Sequence, residues 1–489
     1  MLHEQEEAFI KNFYAGKNQI LHEWIVSDFD TPVSAYLKLT DSEPYSFLLE
    51  SVEGGEKLGR YTIIGYDPDL VWSCEDYRST EQNPLDELRH ILKDSVIDLG
   101  EADLPPMASS GLFGYMGYDM IRIVEKIPDQ NPDTLGIADS IFMRPQILVI
   151  FDNIKHKICV IAPVYRHQGS SDLSAEDSLI QARDRLEKAI ECIRGNLQIT
   201  SYQSKFAALP APHFNMTKDD YFAMVEKGKD YIRAGDIFQF VPSQRFTIDF
   251  DLPPFDLYRS LRRTNPSPFL FYIKFPDFSL VGSSPEILVR VRDGEVTIRP
   301  IAGTRPRGKD TAQDLALKED LLNDPKEISE HLMLLDLGRN DVGKVAKIGS
   351  VHVTDQFIIE YYSHVMHIVS NVTGKLRQGL DALDALMSGS PAGTVSGAPK
   401  IRAMEIIDEL EPVKRKFYGG CVGYLAANGN IDTCIALRTC IVKDGKIYLQ
   451  AGGGVVADSV PENEFQESIN KGKAILKAAE EAILFSKKN

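Results

Sequence analysis

Cysteine and tryptophan are scarce: six and two, respectively, in 489 residues. The cysteines (Cys74, Cys159, Cys192, Cys421, Cys434, Cys440) form no C-x-x-C pair and no dense framework. That excludes a disulfide scaffold and a cysteine–histidine zinc site; they read as reduced thiols, several of them small core residues. No apolar run approaches the roughly 20 residues that span a bilayer. The opening MLHEQEEAFIKNFY is acidic early and lacks the apolar core of a secretory signal. Basic residues are in deficit, 54 Lys and Arg against 71 Asp and Glu, for a formal net charge of −17. With no basic stripe to neutralise a phosphate backbone, nucleic acid is excluded as a partner. A small anionic substrate is not, because it needs only a local cluster of donors. These absences point to a cytoplasmic protein.

Hydrophobic residues make up 43% of the chain and charged residues 26%, values of a soluble globular protein. The length is enough for two or more domains. Residues 1–200 mix short strands (FLLESV, RYTIIGY, LVWSC) with a hairpin around Asn153–His156 and a helix over 174–195. The polar, proline-containing stretch LQITSYQSKFAALPAPHFNM reads as a linker. A second domain spans 217–489, opening on a Thr217 helix cap. It continues with many strands, helices at about 325–339, near 380–388 and after Pro399, and a final helix from Pro461. Hairpin-scale connections outnumber β-helix-β crossovers, which predicts an α+β fold with antiparallel sheets. Two glycine-flanked strand starts, at Gly111 and Gly420, echo one another and suggest equivalent strands in two packed sheets.

Two acidic helices carry glutamates three residues apart: Glu327 and Glu330 in EISEHLMLLDLGRND, Glu464 and Glu467 in PENEFQESINKG. Such residues share a helix face. One such pair is ordinary on an exposed helix; two facing one pocket would surround a hard cation. Mg²⁺ takes oxygen ligands and keeps open positions for an anionic substrate. Gly393–Lys400 lacks phosphate-loop spacing, and Gly452–Gly454 is too compact for a dinucleotide fingerprint. The latter run suits close backbone approach to a ligand.

Several strings occur together and in order: PIAGTRPRG (300–308), EISEHLMLLDLGRNDVGKV (327–345), YYSHVMHIVSNV (361–372), SPAGTVSGAPKIRAMEIID (390–408), YGGCVGYL (418–425), DTCIALRT (432–439) and AGGGVVADSVPENEFQES (451–468). They resemble the chorismate-utilising enzyme family, most closely its anthranilate synthase component I members, over nearly all of 217–489. The resemblance implies the chorismate-utilising fold, two packed, mainly antiparallel β-sheets flanked by helices in an α/β/β/α sandwich. It implies Mg²⁺ on Glu330 and Glu467, with Glu327 and Glu464 as neighbours. Chorismate contacts fall on Gly303, Thr304, Tyr418, Arg438 and Gly452, Gly453 and Gly454, with Lys471 screening the acidic cluster. Arg438 sits in the strand-like ALRTCIV and suits bidentate carboxylate recognition. His367 and Thr394 match active-site residues; the strand pattern alone leaves His364 as a rival, and the resemblance selects His367.

Gln239 stands where the water-adding relatives carry a general-base lysine, and Ala302 where another branch carries a nucleophilic lysine. Both departures favour direct attack by ammonia. The implied reaction gives anthranilate and pyruvate, the first step of L-tryptophan biosynthesis. With no glutaminase nucleophile evident in the chain, a separate glutamine amidotransferase subunit is implied, two large and two small subunits forming a heterotetramer. Leu48–Ser51 and Asn265–Leu270 match a feedback motif, placing L-tryptophan against Ser51, Pro268, Phe269 and Leu270. The alternative is aminodeoxychorismate synthase of folate biosynthesis.

Overall fold

The computed structural model describes residues 2–26, 28–53, 57–100, 103–166, 173–198, 200–362 and 365–487. Its strands pair antiparallel throughout. One sheet runs Gln19–Val26, Lys157–Val164, Ser140–Asp152, Lys57–Cys74, Ser46–Glu53, Phe269–Lys274, Phe278–Ser284, Thr439–Lys443, Lys446–Gly452, Ser243–Asp249. The other runs Gly111–Met116, Cys421–Ala426, Ile431–Ile435, Ile287–Arg292, Glu295–Ile298, Val365–Lys375, with Ile301–Pro306 and His352–Tyr361 also on the last long strand. The two sheets join where Ser140–Met143 pairs with Phe113–Met116. Strands from both sequence segments share each sheet: Ser46–Glu53 lies beside Phe269–Lys274, and Gly111–Met116 beside Cys421–Ala426.

Alternation of side chains across each strand gives both sheets an inner and an outer apolar face. Between them Phe47 stacks on Phe113 with ring centroids 4.5 Å apart, amid Tyr115, Phe271 and Leu280. The outer face of the first sheet is covered by helices Pro32–Thr40, Ala175–Arg194, Pro254–Thr264 and Pro461–Ser486. Helices Pro84–Asp94, Pro325–Val345 and Ala382–Gly389 cover the second. This is the α/β/β/α sandwich that the family resemblance implies, with the antiparallel sheets that the hairpin-scale connections predict.

Three local readings change. RYTIIGY and LVWSC belong to one strand, Lys57–Cys74; Asp67 at φ 52° and a register shift at Pro68–Leu70 bend it without ending it. Gly111–Met116 and Cys421–Ala426 are neighbours in one sheet, not counterparts in two, with Gly114 opposite Gly423. A Cβ on either glycine would fall about 2 Å from a neighbouring backbone oxygen, which accounts for the shared glycines. ALRTCIV is not one strand. Arg438, at φ 51°, separates Ile431–Ile435 from Thr439–Lys443, and the chain changes sheet there. The Phe278–Ser284 and Ile287–Arg292 strands cross over beside it, joined by Ile435 N to Glu286 O at 3.0 Å. Two adjacent crossings interrupt both ladders, leaving polar side chains room inside the sandwich.

Candidate active site

Glu286 and Arg438 occupy these two crossings, and sequence reasoning passed over the first. Glu286 is the lone acid between apolar strands in VGSSPEILVRV, and that isolation was the available signal. It is 7% exposed, and the Thr394 hydroxyl donates to its Oε1 at 3.4 Å. Burial pushes its carboxyl up to about 8, against a downward pull from the Thr394 hydrogen bond and Arg438. Burial thus favours the protonated form of Glu286 near neutral pH. Arg438 sits close enough to affect both Glu286 and His367. Among the described residues no carboxylate forms an ion pair with it, leaving its donors for a ligand.

His367 lies on Val365–Lys375 opposite Thr304, whose Oγ1 is 3.0 Å from its Nδ1. The Gly303 carbonyl is also 3.0 Å from Nδ1 and can only accept, so Nδ1 carries the hydrogen and Nε2 the lone pair. Burial, reinforced by Arg438, lowers His367 to about 4. Tyr362 packs edge-on against the ring, centroids 5.4 Å apart. The rival His364 lies outside the described residues.

Tyr418 is buried, with its hydroxyl facing the Gly452 backbone N–H and Arg415 over its ring at 5.4 Å. At Gly452 a Cβ would lie 2.0 Å from the Pro242 carbonyl, so only glycine fits. Gly453 faces Glu464 and Glu467, and Gly454 rests on Gln239, which is itself buried. Gly303, at φ 75°, sits over Glu327.

The acidic helices start where the sequence directs. Asp324 accepts from Lys326 N and Glu327 N ahead of Pro325, and Pro461 opens the last helix. All four glutamates reach one region. Glu330 is pushed up by burial first, with repulsion from Glu327 and Glu467; burial and then Glu467 raise Glu464. Arg305 Nη1 holds Glu327 at 3.0 Å, and Lys471 Nζ holds Glu467 at 2.8 Å and Gly452 O at 2.9 Å. With those oxygens drawn toward basic side chains, no three acidic, His or Cys side chains converge at metal-ligand spacing among the described residues. The donor set still fits a hard divalent cation. Every donor is oxygen, Glu330 is half-buried among like charges, and the buried Glu464 Oε2 has no hydrogen-bond partner.

LLES and NPSPFL meet as expected of adjoining strands, with Ser51 opposite Phe269 and Glu50 opposite Leu270. A cavity of about 1300 Å³ opens between the sheets, lined by Ser51, Pro268, Phe269 and Tyr424 among others. Leu270 also lines it, although its side chain belongs to the outer apolar cluster under the helices. Glu50 points to that side too, bound by Arg262 and by the Tyr258 hydroxyl. Pro285 and Tyr362 form part of the cavity wall, one beside Glu286 and the other against His367. The cavity and the site therefore share a partition.

His331 is fully buried under the same strand, with Nε2 2.6 Å from Ser370 Oγ, and burial lowers it to about 4. For His331 and His367 the folded value lies below the unfolded value of about 6.5. Their contribution to stability is complete above pH 6.5 and is lost as pH falls toward 4, about 3 kcal/mol each. Through these two groups urea midpoints should fall across that window, and His331→Gln should show a smaller fall than the wild type. An unchanged slope would contradict the neutral, buried state of His331.

Residues 45–477 match the family model for chorismate binding enzyme, and the chain belongs to that family. Within it, the chain groups with proteins named anthranilate synthase component 1. The protein of that name from Cereibacter sphaeroides is 54% identical, across 99% of this chain and 98% of its own. Anthranilate synthase component I from Streptococcus pneumoniae superposes with a TM-score of 0.75 at 38% identity, covering 92% of this chain and 99% of that one. The menaquinone-specific isochorismate synthase of Escherichia coli shares the fold, with TM-score 0.72 at 19% identity over 97% of this chain and 100% of that one.

Proposed function

We propose that this chain is the large subunit of an anthranilate synthase, converting chorismate and ammonia to anthranilate and pyruvate. The observation that carries the reading is the placing of Glu286, held by the Thr394 hydroxyl, and His367, held at Nδ1 by the Gly303 carbonyl, within the field of Arg438, with burial favouring the protonated carboxyl and the neutral imidazole. One is a ready proton donor and the other a ready acceptor near neutral pH.

Arg438 and the Gly452–Gly454 amides bind and orient the carboxylates of chorismate. Ammonia adds at ring C2 while Glu286 gives its proton to the departing 4-hydroxyl, which leaves as water. Thr394 holds the Glu286 carboxyl toward that oxygen. The aminated intermediate then loses its C2 proton to His367 Nε2 as the ring C–O bond to the enolpyruvyl group breaks; the departing enolate takes that proton at its methylene to become pyruvate, and the ring becomes aromatic. Gln239 and Ala302 supply neither a base for water nor an amine nucleophile, which keeps external ammonia as the nucleophile. Glu330 and Glu467, with Glu327 and Glu464 beside them, would hold Mg²⁺, which when bound supplies positive charge for a substrate carboxylate.

The nitrogen source we propose is a separate glutamine amidotransferase subunit, in a cytoplasmic heterotetramer of two large and two small subunits. The cavity at Ser51, Pro268 and Phe269 is the proposed L-tryptophan site. Its shared wall with Glu286 and His367 gives inhibitor and substrate a route to favour different packings, for which couplings of about 1–3 kcal/mol are typical.

Product analysis tests the reaction. One pyruvate per chorismate consumed, from ammonium and Mg²⁺, is expected. An aminated product that keeps its enolpyruvyl group would make this an aminodeoxychorismate synthase instead. Ser51→Leu should raise the tryptophan concentration for half-inhibition at least about tenfold, a loss of roughly 1.4 kcal/mol of binding. Unchanged inhibition would remove Ser51 from the inhibitor site.

A further inference from the structure

We propose that Arg415 is a positioning residue, fixing from inside the core the segments that carry Gln239, Thr394 and Tyr418. The inference rests on the proposed function. Arg415 is 2% exposed and lies in the loop after helix Lys400–Leu410. Its Nη1 donates to Val395 O at 2.5 Å and its Nη2 to Val241 O at 2.6 Å. Val395 follows Thr394, and Val241 lies two residues beyond Gln239. The guanidinium also lies over the Tyr418 ring. One rigid fork thus touches three separate parts of the site.

Glu411 holds the fork. Arg415 Nε donates to its Oε2 at 2.9 Å and Nη2 to its Oε1 at 2.6 Å. The same Oε1 accepts from Ser243 N at 2.8 Å and Ser243 Oγ at 2.7 Å. Ser243 pairs with Gly452, the first glycine of the ligand-facing run. Glu411 and Arg415 therefore tie the glycine run, the Thr394 turn and Tyr418 to one buried ion pair. Lysine cannot replace the fork, because a single ammonium cannot span both carbonyls and both carboxylate oxygens.

Arg122 supplies a matched comparison. Its side chain is 4% exposed, against 1% for that of Arg415, and pairs with Asp119 and Asp408, and with the Pro128 carbonyl at 2.8 Å. Of its partners only Asp119 reaches that region, accepting from Lys416 N at 2.8 Å, and none bonds the Gln239, Thr394 or glycine-run segments. A merely structural arginine should behave like Arg122.

The test uses the full chain with Mg²⁺. Equilibrium binding of chorismate without ammonium counts sites and gives Kd; chorismate loss with ammonium then gives kcat per site. Arg415→Lys should keep Kd within about threefold and lower kcat per site at least about thirtyfold, as sub-ångström to 1 Å misplacement does. Arg122→Lys should lose a similar amount of thermal stability with kcat per site within about threefold of wild type. Should Arg415→Lys fail to fold, Glu411→Gln loosens the same fork and should show the same split, at about tenfold or more. Arg415→Lys or Glu411→Gln with wild-type kcat per site would overturn the proposal, as would an equal loss in Arg122→Lys. Turnover is read as chorismate loss, so a product other than anthranilate would overturn the functional reading while leaving the Arg415–Arg122 comparison intact.

Discussion

Replacing Glu330 by glutamine should reduce Mg²⁺-supported turnover at least about 1000-fold, the effect of losing roughly 4 kcal/mol of charge stabilisation in the transition state. Glu330 lies on an element fixed by the Asp324 cap, half-buried, beside Glu327 and Glu467. In the absence of a cation this crowding opposes folding, since burial and like charges both disfavour ionised carboxylates. Glutamine removes one of those charges and nearly preserves shape. The metal-free variant should therefore be as stable as the wild type, or more so, even though it is inactive. Calorimetric titration with Mg²⁺ should show weakened binding in the same variant. Full turnover with Glu330→Gln would remove this residue from the metal site. Loss of turnover accompanied by lower metal-free stability would assign it a structural role.

The second large effect is expected at Glu286. Glu286→Gln should lower kcat by about 10²–10⁴, the usual contribution of a placed general acid. The pH dependence separates this from a packing defect. With the Glu286 carboxyl pushed up to about 8, wild-type kcat/KM should fall as pH rises above 8. That limb should vanish in the glutamine variant. Stability carries the same signature with a definite sign. The folded value lies above the ordinary carboxylate value, so the favourable contribution is complete below about pH 4.5 and is lost as pH rises toward 8. Glu286→Gln has no such loss and should be the more stable protein at pH 8. A wild-type profile flat across pH 7–9 would contradict a protonated Glu286.

The sequence disclosed those parts of the site that rest on period and spacing. Glutamates three apart had to share a helix face, and Pro461 marked where the last helix begins. Glycine runs announced close backbone approach, and at Gly452 the Pro242 carbonyl supplies the reason. LLES and NPSPFL could be paired only through the resemblance, because their contact is a strand register between residues over 200 apart in sequence. Glu286 was illegible for another reason. A lone glutamate between apolar strands looks like a strand edge until the crossing at Pro285 places it inside. Arg438 was given the wrong local setting, since nothing in ALRTCIV signals that an arginine will take a left-handed conformation. Arg415 sits in a charged run, EPVKRKFYGG, that reads as solvated surface. Only the fold shows that its partners are backbone carbonyls from distant segments.

The most direct check is anthranilate fluorescence from the isolated chain supplied with chorismate, Mg²⁺ and excess ammonium, with and without L-tryptophan. Fluorescence that requires all three additions and falls when tryptophan is present is the predicted result. Chorismate consumed without any anthranilate would contradict it.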